Sequence, residues 1–293
     1  MFEIASKAYK DLGNYKDSRE QLKETYYQYA SFLINNSGGN KKTYEEAFDM
    51  LLQIEDYQSY KDVYSKLINV PELLDILWNR SFKVGNEFLI GTFEQDNNTT
   101  NGTEPIEWIV IANSNGKALL LSKYVLIGKE FNDDAYYGEA GSEHNSVTWE
   151  KSTLYTWLNK EFIKSFTKTE QSILKKSNNG TVFLLSEAEL KQYLPNEKDR
   201  VCQPTKYAIQ RGVNPKDGAW WWLRDVYFRY YYKNGNEISS RYRCYESGLV
   251  YGSGEISESS VTIEDYGVRP AVWIDYSNGP IADWLQREKG KIQ

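Results

Sequence analysis

The chain has one histidine, His144, and two cysteines, Cys202 and Cys244, in 293 residues. Two cysteines build neither a disulfide framework nor a zinc cluster. One histidine in the polar loop "GSEHNSV" leaves no His-rich metal site and no His pair for acid–base work, and it reads as a solvated loop residue. Basic charge is not in excess. Lys plus Arg number 35 against 41 Asp plus Glu, a net charge of −6, with a pI of about 5.2. A general nucleic-acid or anionic-membrane binder needs basic surface, so no nucleic-acid partner is expected. No run approaches the roughly 18 apolar residues of a membrane span, and the N-terminus has no apolar signal core. As given, the chain reads as cytoplasmic, and surface display would require a longer N-terminus.

Catalytic motifs are equally scarce. No phosphate-cradling glycine loop of the P-loop type occurs. The "YGSGE" stretch near Gly252 lacks the strand–turn–helix context of a nucleophile elbow. Paired acids such as Glu45–Glu46 and Asp133–Asp134 lie in polar runs and read as solvated faces. Asn-x-Ser/Thr triplets such as "NNTTNGT" read as loop composition.

What is abundant is tyrosine, 24 residues against 11 phenylalanines, with aromatics at 15% overall. Residues 1–80 read as a helical segment. Ile4, Ala8, Leu12 and Tyr15 follow helical spacing, as do Leu22, Tyr26, Tyr29 and Leu33. Thr43 and Glu46 form a Thr-x-x-Glu capping pattern. "YKDS" at Tyr15 recurs as "YKDV" at Tyr60, a spacing of 45 residues. That recurrence predicts two stacked helix-pair units of the tetratricopeptide kind, with a plain helical bundle as the alternative. Pro71 to Ser81 reads as a joint.

Residues 81–293 read as one α+β domain. "EFLIGTFEQ", "IEWIVIA" and "KALLLSK" are strands, the last two joined by the turn "NSNG". A helix from about Thr148 carries Leu154, Trp157, Leu158 and Phe162 on one face. Thr167 with Glu170, and Ser186 with Glu189, mark two further helix starts. Beyond Trp220 the pattern is strand-like. Strands, then helices, then strands predict α+β rather than alternating βαβ units. Trp108, Trp149, Trp157 and Trp273 are expected in the core.

The ordered set "GTFEQDN…EPIEWIVI", "LLLSKY", "TWEKSTLYTWLN", "FLLSEAE", "PTKYAIQRG", "WWLRD" and "YGVRPAVWID" resembles a bacterial family classed as domain of unknown function 6273, over about residues 84–276. "LGNYKDS"-type helical units often precede that domain. The resemblance implies a C-type-lectin-like fold related to formylglycine-generating-enzyme-like domains, which serve mainly as scaffolds for binding loops. Some such domains are variable receptors of diversity-generating retroelements, with a Tyr-, Ser-, Asp- and Asn-rich segment in the position of residues 225–251 here. Two features depart from the pattern: residues 226–245 look inserted, and the paired-cysteine copper site of the formylglycine-generating relatives has no counterpart in Cys202 and Cys244. No cofactor is expected. "EPI" at Glu104 lacks the Asn of a lectin Glu-Pro-Asn cluster, so no calcium site of that kind is expected either.

The segment "WWWLRDVYFRYYYKNGNEISSRYRCYE" carries the functional expectation. Six tyrosines fall within nineteen positions, from Tyr227 to Tyr245. Tyrosine offers broad, stiff contact area and a hydroxyl, and both Tyr and Arg are favoured at interface hot spots. The binding candidates are Asp225, Tyr227, Arg229, Tyr230, Tyr231, Tyr232, Asn234, Asn236, Tyr242, Arg243 and Tyr245, with Arg241 adding charge. Asn-Gly within Lys233–Asn236 signals a tight hairpin turn. Strands 226–232 and 237–245 would then pair and present Tyr230, Tyr232, Tyr242 and Arg243. Trp221, Trp222, Arg224 and Arg269 are expected to be structural, with Gly267 and Pro270 fixing a turn. The leading expectation is a non-enzymatic module for a protein or glycan ligand, with the helical segment holding a second protein. A glycan-acting enzyme with a carboxylate site on the same face, and a structural module with buried tyrosines, stay open.

Overall fold

The structure, a computed structural model, describes residues 2–57, 59–134, 147–229, 232–233, 236–237 and 244–276. It divides into two compact units, Met1–Ser81 and Phe82–Gln293.

The first unit is helical: α1 (Phe2–Leu12), α2 (Ser18–Asn35), α3 (Lys41–Leu52), α4 (Val63–Asn69) and α5 (Pro71–Ser81). Helix α3 starts a turn before the Thr43 capping pattern. Asn40 caps it instead, its side-chain oxygen accepting from the Lys42 amide at 3.0 Å. The stretch from Pro71 to Ser81, read as a joint, is helix α5, and the first unit ends with it. Its proline occupies the first helical position, where the missing N–H has no intrahelical partner to lose, and Leu73, Ile76 and Leu77 are buried. Helix α3 buries Tyr44, Ala47, Phe48 and Leu51, whereas α1 buries no residue.

The second unit is α+β. In chain order it comprises β1 (Glu87–Phe93), β2 (Glu104–Ser114), β3 (Lys117–Ser122), β4 (Ile127–Gly128), α6 (Thr153–Lys160), α7 (Lys168–Ile173), β5 (Val182–Phe183), α8 (Glu187–Tyr193), α9 (Glu197–Arg200) and α10 (Lys206–Gln210). It continues with β6 (Trp221–Arg229), β7 (Tyr232–Lys233), β8 (Asn236–Glu237), β9 (Cys244–Val250), β10 (Ile256–Ser260), β11 (Gly267–Val268) and β12 (Ala271–Asp275). One sheet runs β1-β2-β3-β12-β5 and a second β10-β9-β6-β11-β4. Asn115 and Gly116 both take positive φ between β2 and β3, the requirement of a two-residue hairpin turn matched to strand twist. Helix α6 begins at Thr153, later than the apolar spacing suggests, because the Ser152 hydroxyl accepts from the Tyr155 amide and sets the start there. The boxes at Thr167–Glu170 and Ser186–Glu189 both form.

Trp108 and Trp149 are buried, with indole N–H groups donating to the carbonyls of Ile90 and Asn179. Trp157 and Trp273, expected in the core, are half-buried. Cys202 is a buried free thiol.

The β6–β9 pairing departs from the simple hairpin. Strands β7 and β8 pair with Tyr232 opposite Glu237 and Lys233 opposite Asn236, as a two-residue Asn-Gly connection requires. That register, continued, would set Arg229 opposite Ser240; instead Arg229 lies opposite Cys244, four residues further on.

Candidate functional site

The Trp-Trp-Leu-Arg-Asp stretch opens β6, and its first three side chains are buried on both faces of the strand. Trp221 and Trp222 are fully buried. Their indole N–H groups donate to the carbonyls of Arg200 at 3.3 Å and Lys129 at 2.9 Å, which satisfies the polar edge of each ring. Arg224 donates to the Leu184 carbonyl at 2.7 Å and pairs with Glu189. Asp225 uses one carboxylate oxygen to accept the Glu187 amide at 2.6 Å. Arg224 and Asp225 thus tie β6 to the first turn of α8, where Glu189 also closes the capping box with Ser186.

Arg269 is buried. It donates to the carbonyls of Ser122 at 2.9 Å and Arg200 at 3.3 Å, and stacks 5.0 Å over the Trp221 ring. Burial pushes its guanidinium below the ordinary arginine range.

Beside this frame lies a cleft of about 640 Å³. Helix α8 contributes Glu187 and Lys191, α9 contributes Glu197 and Arg200, and β6 contributes Tyr227. The β9–β10 turn and β10 contribute Tyr251, Glu255, Ser257 and Glu258. Gly254 lets the turn lie close against α9: its φ is +92° and an added Cβ would clash with the Glu197 carbonyl, so no side chain fits there. Arg200 donates to the carbonyls of Leu194, Pro195 and Gly254, so its charge braces the walls.

Tyr227 donates its hydroxyl to Glu187 at 3.0 Å. Burial, then the Glu187 hydrogen bond, push the phenol up to about 12. Lys191, then Tyr227, hold Glu187 below the ordinary carboxylate range. Tyr251 accepts from Ser257 at 2.9 Å, and its ring lies 4.5 Å from that of Trp220. Trp220 is 40% exposed and also meets Tyr266 at 5.5 Å. An aromatic shelf of Trp220, Tyr251 and Tyr266 therefore adjoins an acidic cleft.

Of the residues expected to bind, Asp225 and Tyr227 are brought to this side of the unit. Arg229, Tyr232, Asn236 and Tyr245 are placed in strands by their backbone alone. Tyr230, Tyr231, Asn234, Tyr242, Arg243 and Arg241 lie outside the described residues, as does His144. Sequence reasoning missed Glu187, Glu197 and Glu258, and only the Ser186 capping box pointed near any of them; Tyr251 closes the 225–251 segment expected to carry binding, though it was not singled out.

Two other features bear on ligand chemistry. Phe93, Trp157, Tyr207 and Arg211 line a second cleft of about 490 Å³. Glu94, Asp96 and Glu104 bring carboxylate oxygens within 4.8 Å of one another, the spacing a cation could bridge. The loop already engages them: the Asn98 amide donates to Glu94 at 2.9 Å and to Asp96 at 2.8 Å, and the Gln95 amide to Glu104 at 2.7 Å.

No curated protein and no solved structure matches the chain. Residues 115–276, from the β2–β3 turn through β12 and including the cleft, match the family described as Domain of unknown function (DUF6273). That match spans more than half of the 293 residues, and the chain belongs to this family.

Proposed function

We propose that the second unit is a non-enzymatic binding module on a C-type-lectin-like scaffold, taking a protein or glycan ligand in the Tyr227–Tyr251 cleft and along the tyrosine-rich segment beyond it. The observation that carries this reading is continuity. Strand β6 delivers Tyr227 to the cleft and ends at Arg229, and in the sequence Tyr230, Tyr231 and Tyr232 follow directly. Half-exposed aromatic rings beside carboxylates suit sugar hydroxyls and peptide groups alike, since rings stack and carboxylates accept. The helical unit holds a second protein or orients the module, in the manner of tetratricopeptide-like repeats. Retroelement diversification of residues 225–251 belongs to the same reading, and a near-copy of codons 220–270 differing only at adenines in the flanking DNA is its signature.

An enzyme acting on glycans would need a carboxyl kept protonated near neutral pH as proton donor. Glu187 is shifted the other way, its carboxylate stabilised by Lys191 and Tyr227, which favours binding over acid catalysis.

The test is an array of glycans and surface proteins probed with the full chain, with a Tyr251→Ser variant, and with a variant carrying Ser at Tyr230, Tyr231, Tyr232, Tyr242 and Tyr245. We expect at least about tenfold weaker binding in both variants with melting temperatures unchanged. Unchanged binding, or a collapsed melting temperature in the five-fold variant, would remove the reading.

A further inference from the structure

The two copies of the Tyr-Lys-Asp motif share one backbone conformation. Lys16 and Lys61 both sit in the left-handed region, at φ 52° and 48°. Asp17 and Asp62 occupy the position just before α2 and α4. The Ser18 amide donates to the Tyr15 carbonyl and the Val63 amide to that of Tyr60, at 3.1 and 3.2 Å.

Their surroundings differ. The second copy grips α2 through two side chains three residues apart, neighbours on one helix face. Tyr60 donates to Glu24 at 2.9 Å, and Lys61 pairs with the same carboxylate. Tyr27 donates to Asp62 at 2.6 Å, and the Lys61 ammonium lies 4.5 Å from the Tyr27 ring centroid. The first copy grips nothing of the kind among the described residues. Tyr15 is 61% exposed, Lys16 lies 5.1 Å over the ring of Tyr15 itself, and Asp17 accepts from Gln21 of its own helix. The helix before it is open as well. Ile4 and Leu12 are 76% and 49% exposed, and with exposed Ala8 they form a stripe at helical spacing that leads to Tyr15.

We propose that α1 and the first Tyr-Lys-Asp copy form a docking surface for a partner helix that carries a glutamate followed three residues later by a tyrosine, beside an apolar stripe. The chain supplies the template: the same three side chains, on the same backbone, already hold Glu24 and Tyr27. In the docked state Tyr15 and Lys16 take the partner glutamate, Asp17 takes the tyrosine hydroxyl, and Ile4 and Leu12 are covered. This deepens the reading of the helical unit as the holder of a second protein and does not depend on the cleft.

The probe is a stapled peptide with the sequence of residues 18–35, stapled on the side away from Glu24 and Tyr27, with its helicity checked by circular dichroism. Its binding to the full chain is read by fluorescence anisotropy. We expect saturable binding, weakened about tenfold by Lys16→Glu, which sets like charges together. A peptide carrying Glu24→Lys should restore binding to that variant, whose melting temperature should match the wild type. A helical peptide that shows no saturable binding, or one that Lys16→Glu does not weaken, overturns the proposal.

Discussion

Glu24 is the residue on which the first unit converges chemically. Its carboxylate is held at about 2, below the usual 4.5, first by the Gln28 amide, then by Lys61 and Tyr60, against the opposing effect of burial. A carboxyl depressed in the fold stabilises it above the unfolded pKa, and that contribution drains away as pH falls from about 4.5 towards 2. The side chain is 33% exposed, so solvent screening cuts the contribution to about 1 kcal/mol. Glu24→Gln should therefore unfold at lower urea than the wild type at pH 7, and the difference should shrink below about pH 4.5 and close only near pH 2. A gap of the same size at both pH values would show that Glu24 acts through shape rather than charge. Legibility at this scale was uneven. Trp221 and Trp222 lie in the interior, where large aromatics without charge are expected, yet Trp157 has the same chemistry and lines the second cleft. Residue type does not record which side of a helix a neighbour leaves uncovered.

Helix α8 shows what an element adds. Its capping box is local chemistry, a hydroxyl and a carboxylate three residues apart, and was readable in the sequence. The same pattern at Thr43 misled, because Asn40 lies just upstream and caps α3 first. The cleft beside α8 was not readable, since Glu187, Tyr227 and Tyr251 come from three segments whose approach depends on the β6–β9 register. That register is shifted by four residues from what the Asn-Gly turn implies, and no local pattern announces such a shift. The Ser186 cap links stability to the site. Ser186→Ala removes the acceptor of the Glu189 amide and should cost about 1 kcal/mol. It should also loosen the first turn that carries Glu187, and so weaken ligand binding on the array. An unchanged urea midpoint would show that Arg224, through its pair with Glu189, holds the turn alone.

At the scale of the whole molecule, charge decides which partners are admitted. The chain carries −6, and carboxylates outnumber cations around the cleft, where Glu187, Glu197, Glu255 and Glu258 face Lys191 and Arg200. Long-range attraction to polyanions scales with basic surface, and here the field of the molecule opposes it. Arg229, Arg241 and Arg243 are the counterweight, three arginines which with Lys233 make four cations within the tyrosine-rich segment. If the global field governs, the full chain should pass through a heparin column at about 0.1 M salt, where the screening length is still about 10 Å. Retention that vanishes when the three arginines become serine would mean that the segment forms a local basic patch, and would redirect the ligand search towards acidic glycans. Flow-through, together with binding on the array, would instead assign recognition to neutral hydroxyls and peptide groups meeting tyrosine rings and carboxylates, the chemistry that the described cleft offers.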